Sequence, residues 1–291
     1  MAQPPKDFAA ELLERFGIPT SYLSHLRELR QRLLRILYTM GFFYTLFFLF
    51  EFREVARVGD LPLYAPFLSP FHPFAAQVMG RMTDDLAPAG VVLIQTSSVE
   101  IVILYMQIAL ALAVACSMPM ILYQFGRFVM PALYPHERRE LVRLVVPGLL
   151  LFSVGCIFAY TIIVPPILNF LFEYAREFAQ TSSGTVLVTV SIGQLLEFAL
   201  TLVLVFGVVF EMPLVMNVLT RIGVVEAKTW LRYWRHAVVA FLIVGGVITP
   251  DTSGVTQVLV ALPMTALYFT GCALALFSAR RAQRAASPTP G

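Results

Sequence analysis

Residues 101–126 and 144–172 contain no Asp, Glu, Lys or Arg, and between them the chain carries Pro131-Ala-Leu-Tyr-Pro-His-Glu-Arg-Arg-Glu140. At ~1.5 Å per helical residue, each run is long enough to cross a hydrocarbon layer about 30 Å thick. The chain therefore surfaces between them. There it shows water two acids and three arginines, counting Arg143. A connecting loop needs charge for solubility. It does not need a Glu set between a His and two Arg behind a Pro-x-x-x-Pro turn.

The whole chain fits this reading. It is 58% hydrophobic and only 13% charged, with a mean hydropathy of +0.76. A soluble domain of 291 residues would show more charge. Cys116, Cys156 and Cys272 lie inside apolar runs with no metal-ligand spacing, and the four histidines form no i,i+4 pair. No metal, cofactor or nucleic acid is expected. No cleavable leader is expected either, because the first apolar run starts after residue 32 and lacks a small-residue cleavage site.

Six apolar segments follow: roughly 33–52, 101–123, 144–166, 194–219, 236–250 and 255–277. The fold class is all-α, a polytopic membrane protein with six transmembrane helices, kinked, the last two short. Residues 1–291 form a single membrane domain. It comprises an N-terminal segment (about 1–32), the six-span region (33–277) with a loop at 53–98, and a tail (278–291). Lys and Arg number seventeen in alternate loops on one side and four on the other. The positive-inside rule then places both termini in the cytoplasm and 53–98 outside. That loop is too Pro-rich to span and too apolar to be a linker, so a cap with interfacial helices is expected. Residues 6–17 carry Phe8, Leu12, Leu13 and Phe16 at helical spacing, which predicts a short amphipathic helix. Thr249-Pro-Asp-Thr-Ser-Gly254 predicts a tight turn between the last two spans. Prolines 119, 147, 213 and 263 sit inside spans and predict kinks, whereas Pro131 and Pro165 fit helix ends.

Two groups of residues carry candidate chemistry. Glu28 stands among arginines in Leu23-Ser-His-Leu-Arg-Glu-Leu-Arg-Gln-Arg32. It can pair internally with Arg32 at i,i+4, or serve as a receptor carboxylate for a basic ligand. Glu137 occupies the next loop on the same side and can join Glu28 on an arginine pair; loop solvation is its bland reading. The second group centres on Glu211, inside an apolar run after Phe206-Gly-Val-Val-Phe210 and before Met212-Pro213. A carboxyl at depth is costly and is a functional candidate by default. A protonated structural Glu is the alternative. Glu197, nearer the opposite end of the same segment, is more simply interfacial.

Three motifs then carry a resemblance. His25-Leu-x-Glu-Leu-Arg-x-Arg32, Met118-Pro-Met-Ile-Leu-Tyr-Gln124 and Phe128-x-x-Pro-Ala-Leu-Tyr-x-x-Glu-Arg-Arg139 resemble the TatC family, the signal-peptide receptors of twin-arginine protein translocases. Leu151-Phe-x-x-Gly155, Phe206-Gly-Val-x-Phe-Glu-x-Pro213 and Thr249-Pro-Asp251 follow in order. The resemblance implies a non-enzymatic receptor in a bacterial cytoplasmic membrane. It implies signal-peptide binding by Leu26, Glu28, Arg30, Phe128, Pro131, Tyr134 and Glu137. It implies a polar intramembrane site of Gln124, Thr201, Glu211 and Pro213 that docks single-span TatA/TatB-type partners, and a structural turn of Pro250, Asp251 and Gln257. Twin-arginine cargo, membrane lipid, homo- or hetero-oligomeric assembly and transport driven by the proton-motive force come with it. A proton-coupled small-solute transporter is the rival reading, but no internal repeat supports it. Two positions depart from the family pattern. Tyr268 is followed by Phe269 rather than an acid, and Gln107 stands where many members carry a basic residue.

Overall fold

The computed structural model describes residues 20–58, 61–69, 71–87, 92–129, 138–181, 189–249 and 254–286. Helix α1 (Thr20–Leu49) leads into an antiparallel hairpin of β1 (Phe50–Val58) and β2 (Leu61–Leu68), then α2 (Phe74–Leu86) and β3 (Val92–Ile94). Helix α3 (Ser98–Val129) returns across the molecule. Helix α4 (Arg138–Phe158), a π-turn (Ala159–Ile163) and α5 (Val164–Thr181) form one continuous rod. Then come β4 (Thr189–Ser191), α6 (Ile192–Phe210), α7 (Met212–Arg221) and α8 (Ala227–Arg232). Helices α9 (Trp234–Ile248) and α10 (Val255–Ala286) close the chain.

Among the described residues, five helical stretches are long and apolar enough to cross a membrane, and α9 is a shorter apolar helix. This is the six-span arrangement. The hairpin, α2, β3 and β4 lie at one end, here termed the hairpin side. The start of α1 and the end of α10 share the other.

Several expectations are corrected. The first span ends at Leu49, and Phe50–Phe52 already belong to β1. The cap over residues 53–98 holds one helix, as expected in kind, together with a hairpin that was not. Both Pro62 and Pro66 lie in β2, opposite Arg57 and Phe52. A two-stranded sheet has only edge strands, so a proline N can face away from the ladder. Pro165 is not a helix end. The rod runs through Pro165-Pro166 to Thr181, and the preceding π-turn, with Val164 N–H donating to Ala159 O, re-registers the backbone where the proline N–H groups are missing. Of the last two spans only α9 is short, at 15 residues or about 22 Å. Helix α10 is 32 residues long, because Ala, Arg and Gln after residue 278 are strong helix formers that continue it past the apolar run. The 6–17 helix, Pro131, Tyr134, Glu137, Pro250 and Asp251 lie outside the described residues.

The main core joins α1, α2, α3, α5, α6 and α10 through Phe47, Ala75, Leu104, Ile167, Leu202, Phe206 and Met264, all buried. Helices α4 and α6 cross where Gly155 faces Phe206 O and the Phe210 ring. A Cβ there would come within 2.8 Å of both, so only glycine permits this approach. A smaller core of Met216, Tyr268 and Cys272 holds α7 against α10. Next to it, Phe269 packs on Trp234 with ring centroids 5.9 Å apart, and the Tyr268 hydroxyl donates to Trp230 O at 2.6 Å. The position where an acid was expected is thus an aromatic contact.

Candidate functional site

Polar side chains concentrate in two zones. On the N-terminal side, Arg32 of α1 is only 7% exposed although it is a cation. Its guanidinium donates to Glu28 Oε1 within the helix and to Gln124 O of α3 at 3.4 Å. The i,i+4 pairing of Glu28 is therefore real. Arg30 is exposed on the same helix, and Leu26 lies in its second turn. Gln124 is 2% exposed; its Nε2 is 3.7 Å from Met120 Sδ and its Oε1 has no partner among the described residues. Phe128 lies one turn on, partly buried near the end of α3.

Deeper in the same half, Glu211 sits at the one-residue break between α6 and α7, with Pro213 opening α7. It is 4% exposed, and among the described residues neither carboxyl oxygen has a hydrogen-bond partner. Gly148 of α4 leaves the space for it. A Cβ at that position would stand 3.2 Å from Glu211 Oε2, 3.3 Å from Leu214 Cδ2 and 2.5 Å from Leu122 Cδ1. Leu122, two residues before Gln124, thus borders the carboxyl. Thr201 is not part of this group. It precedes Glu211 by ten residues on one helix, about 15 Å along the axis, and donates to Glu197 O at 2.8 Å.

The hairpin side contains a second polar zone that sequence reasoning missed. Glu100 Oε2 accepts from Thr96 N–H and Ser97 N–H at 3.0 and 3.3 Å, while Val99 N–H donates to Ser97 Oγ at 3.3 Å. This is a reciprocal capping box, legible in Ser97-x-x-Glu100. The other oxygen, Oε1, accepts from Ser191 Oγ at the end of β4. Strands β3 and β4 pair in parallel, Ile94 opposite Ser191, so the outer ends of α3 and α6 are stapled twice. One helical stage deeper, Gln107 Nε2 donates to Glu197 Oε1 at 3.1 Å. The uncharged residue at a usually basic position still makes the cross-helix contact. Tyr160 of the π-turn donates to Asp85 of α2 at 2.8 Å. Outside the spans, Arg53 forms an ion pair with Glu51 at 2.9 Å and holds its carboxyl below the usual carboxylate range. Gln257 ties α10 to α9, its Nε2 donating to Leu242 O at 2.8 Å.

Nothing in this set resembles a catalytic constellation or, among the described residues, a metal cluster. Comparison with known proteins matches the family model described as Sec-independent protein translocase protein (TatC) to residues 24–263. The Sec-independent protein translocase protein TatC of Cenarchaeum symbiosum is 36% identical over 260 residues, 89% of this chain and 94% of its own length. That of Aquifex aeolicus is 39% identical over 176 residues, 60% of this chain and 70% of its own. A solved structure, described as the crystal structure of the twin-arginine translocase receptor TatC, superposes with a TM-score of 0.70 at 32% identity, covering 88% of this chain and 99% of that one.

Proposed function

The chain belongs to the TatC family of Sec-independent protein translocase proteins, and on that premise we propose that it is the receptor and scaffold of its translocase rather than an enzyme. Glu137 and Glu28, with Leu26, Arg30, Phe128, Pro131 and Tyr134 around them, take the two consecutive arginines of an export signal. A guanidinium pairs with a carboxylate in a planar two-bond fork that an ammonium cannot reproduce, so carboxylates suit a ligand defined by arginine. Glu28 must share its carboxylate between Arg32 and the ligand. The larger part of the affinity therefore rests with Glu137.

One observation carries the second half of the reading. The Glu211 carboxyl is buried, at a helix break, beside a glycine, and both oxygens lack a partner among the described residues. A buried polar group without a partner is expensive in hydrocarbon, and a polar side chain on a neighbouring helix removes that cost. We assign Glu211 to docking single-span TatA/TatB-type subunits, with Gln124 and Pro213 beside it. Thr201 is too far along α6 to touch the same group. The seventeen-to-four excess of Lys and Arg supports cytoplasmic termini in a bacterial-type inner membrane, with the hairpin outside. Transport of folded cargo driven by the proton-motive force completes the proposal.

Photocrosslinking of a twin-arginine peptide to the reconstituted protein tests the receptor half. Glu137→Ala weakens binding, and Glu28→Ala does so less. Loss of a desolvated Arg–carboxylate partner costs on the order of 2–5 kcal/mol, less where the site stays wet. Unchanged crosslinking in the double variant removes the carboxylates from the site. For orientation, a cysteine at position 72 should label only from outside.

A further inference from the structure

A cavity of about 830 Å³ opens between the cap and the membrane helices, beside the Tyr160–Asp85 bond. Its upper wall is Phe52 and Tyr64 of the hairpin and Phe74, Gln77, Val78 and Arg81 of α2. Below these it is lined by Ala111 and Ala115 of α3, Cys156 and Tyr160 of the α4–π-turn rod, and Leu200 and Leu204 of α6. Its depth follows from helix geometry. Leu204 lies about 18 Å below the start of α6, and Ala115 about 25 Å below the start of α3. The cavity therefore runs from the hairpin-side interface to the middle of the hydrocarbon, about one leaflet of ~15 Å. Its lining is almost wholly apolar except at the interfacial end. There Arg81 is exposed and, among the described residues, forms no ion pair, although Asp84 and Asp85 follow on the same helix. Asp85 is engaged by the Tyr160 hydroxyl, which also fixes α2 over the cavity.

We propose that this cavity holds one glycerophospholipid of the hairpin-side leaflet, an acyl chain between α3 and α6 and its phosphate on Arg81. The shape selects this occupant. A helix 10–12 Å across that spans ~30 Å of hydrocarbon fills roughly 2,800 Å³, several times the cavity, so a partner helix would seat only a turn or two. An acyl chain is narrow, unbranched and free of hydrogen-bonding groups, and it asks nothing of the apolar wall. The charge selects the headgroup: guanidinium pairs with phosphate oxygens through parallel N–H donors. Ala111 and Ala115 leave open the volume that larger residues would fill.

Two probes test it on the full chain in nanodiscs: phosphatidylglycerol and diacylglycerol, each with a diazirine at the end of one acyl chain. The phospholipid crosslinks to the Ala111–Ala115 and Leu200–Leu204 segments in preference to lipid-facing Leu150 and Val247. Arg81→Gln lowers that deep crosslinking about fivefold, the effect of one basic residue on a lipid phosphate near the surface, and leaves diacylglycerol unchanged. Ala115→Phe lowers both. If crosslinks fall evenly over Leu150 and Val247, or if Arg81→Gln spares the phospholipid, the assignment is wrong. Should excess single-span partner abolish the deep crosslinks, the cavity belongs to that helix instead. Because Arg81 is exposed on the cap, its variant reports even if Ala115→Phe does not fold.

Discussion

The two ends of the membrane region treat their polar side chains in different ways. On the hairpin side Glu100, Ser191, Gln107, Glu197, Tyr160 and Asp85 are partnered, each bond joining separate elements. Toward the N-terminal side, Gln124 Oε1, Arg32 Nε, Asn217 Oδ1 and both oxygens of Glu211 are buried without hydrogen-bond partners among the described residues. The membrane helices thus pair their polar groups across elements at the hairpin end and leave several open toward the other, while in the cap Glu51 Oε2 is also buried without a hydrogen bond among the described residues. Satisfied groups specify the fold; open ones carry an unrelieved cost that a second molecule can relieve. Polarity in a span therefore does not by itself mark a binding site. What distinguishes the candidate is the missing partner.

Breaking a completed group should cost the most stability. Glu100→Ala strips the cap from α3 and leaves Ser191 Oγ and two backbone N–H groups without their acceptor. Stability falls, visible as a lower midpoint in thermal unfolding followed by size exclusion. Gln107→Leu removes one cross-helix bond in the membrane and should cost about 0.6 kcal/mol. Gln107→Lys, which restores a cation opposite Glu197, should keep wild-type stability in the same assay.

The open end should behave differently. Glu211→Gln and Glu211→Leu should both leave the midpoint close to wild type, since no bond is lost. Crosslinking to the single-span partner should fall, more for Leu than for Gln, because an amide can still bond a polar side chain. A large midpoint drop in Glu211→Leu would put Glu211 with the structural group and dissolve the contrast. Gly148→Ala sharpens it, because the added methyl would press on Leu122 and the carboxyl together. Partner crosslinking should fall with Glu211 itself unaltered.

The smallest effect belongs to the cap. Arg53 lowers the Glu51 pKa relative to the unfolded chain, so its contribution is present above the ordinary carboxylate pKa. It is lost as the pH falls through the depressed folded value. The pair is largely exposed on its Arg53 side, and such pairs contribute little. Glu51→Gln should flatten the acid limb of the stability–pH profile slightly, its small cost showing at neutral pH and vanishing in acid.

The spans were legible because lipid imposes a length and an absence of charge that can be read locally. So was the Glu28–Arg32 pair, four residues apart on one helix. The hairpin was not, because Pro62 and Pro66 argue against a strand unless both strands are known to be edges. Pro165-Pro166 looked like an end because the π-turn that accommodates it depends on packing by Ala159 and Ile163. The Glu100–Ser191 and Gln107–Glu197 bonds join residues about ninety apart in sequence, and no local pattern encodes such a pairing. Thr201 was grouped with Glu211 because both are polar in one apolar run; the helical rise separates them.

Helix α9, at 15 residues, falls several ångströms short of the hydrocarbon it crosses. A rigid protein cannot stretch, so the adjustment passes to the solvent: lipid beside this flank is drawn thin, at a fraction of a kcal/mol for each ångström of deficit. That dent is a property of the surroundings, but the chain carries it wherever it diffuses. Two dents merged distort less membrane than two apart. The bilayer itself thus supplies a mild attraction that brings short-spanned flanks together, with no side chain on either required to recognise the other.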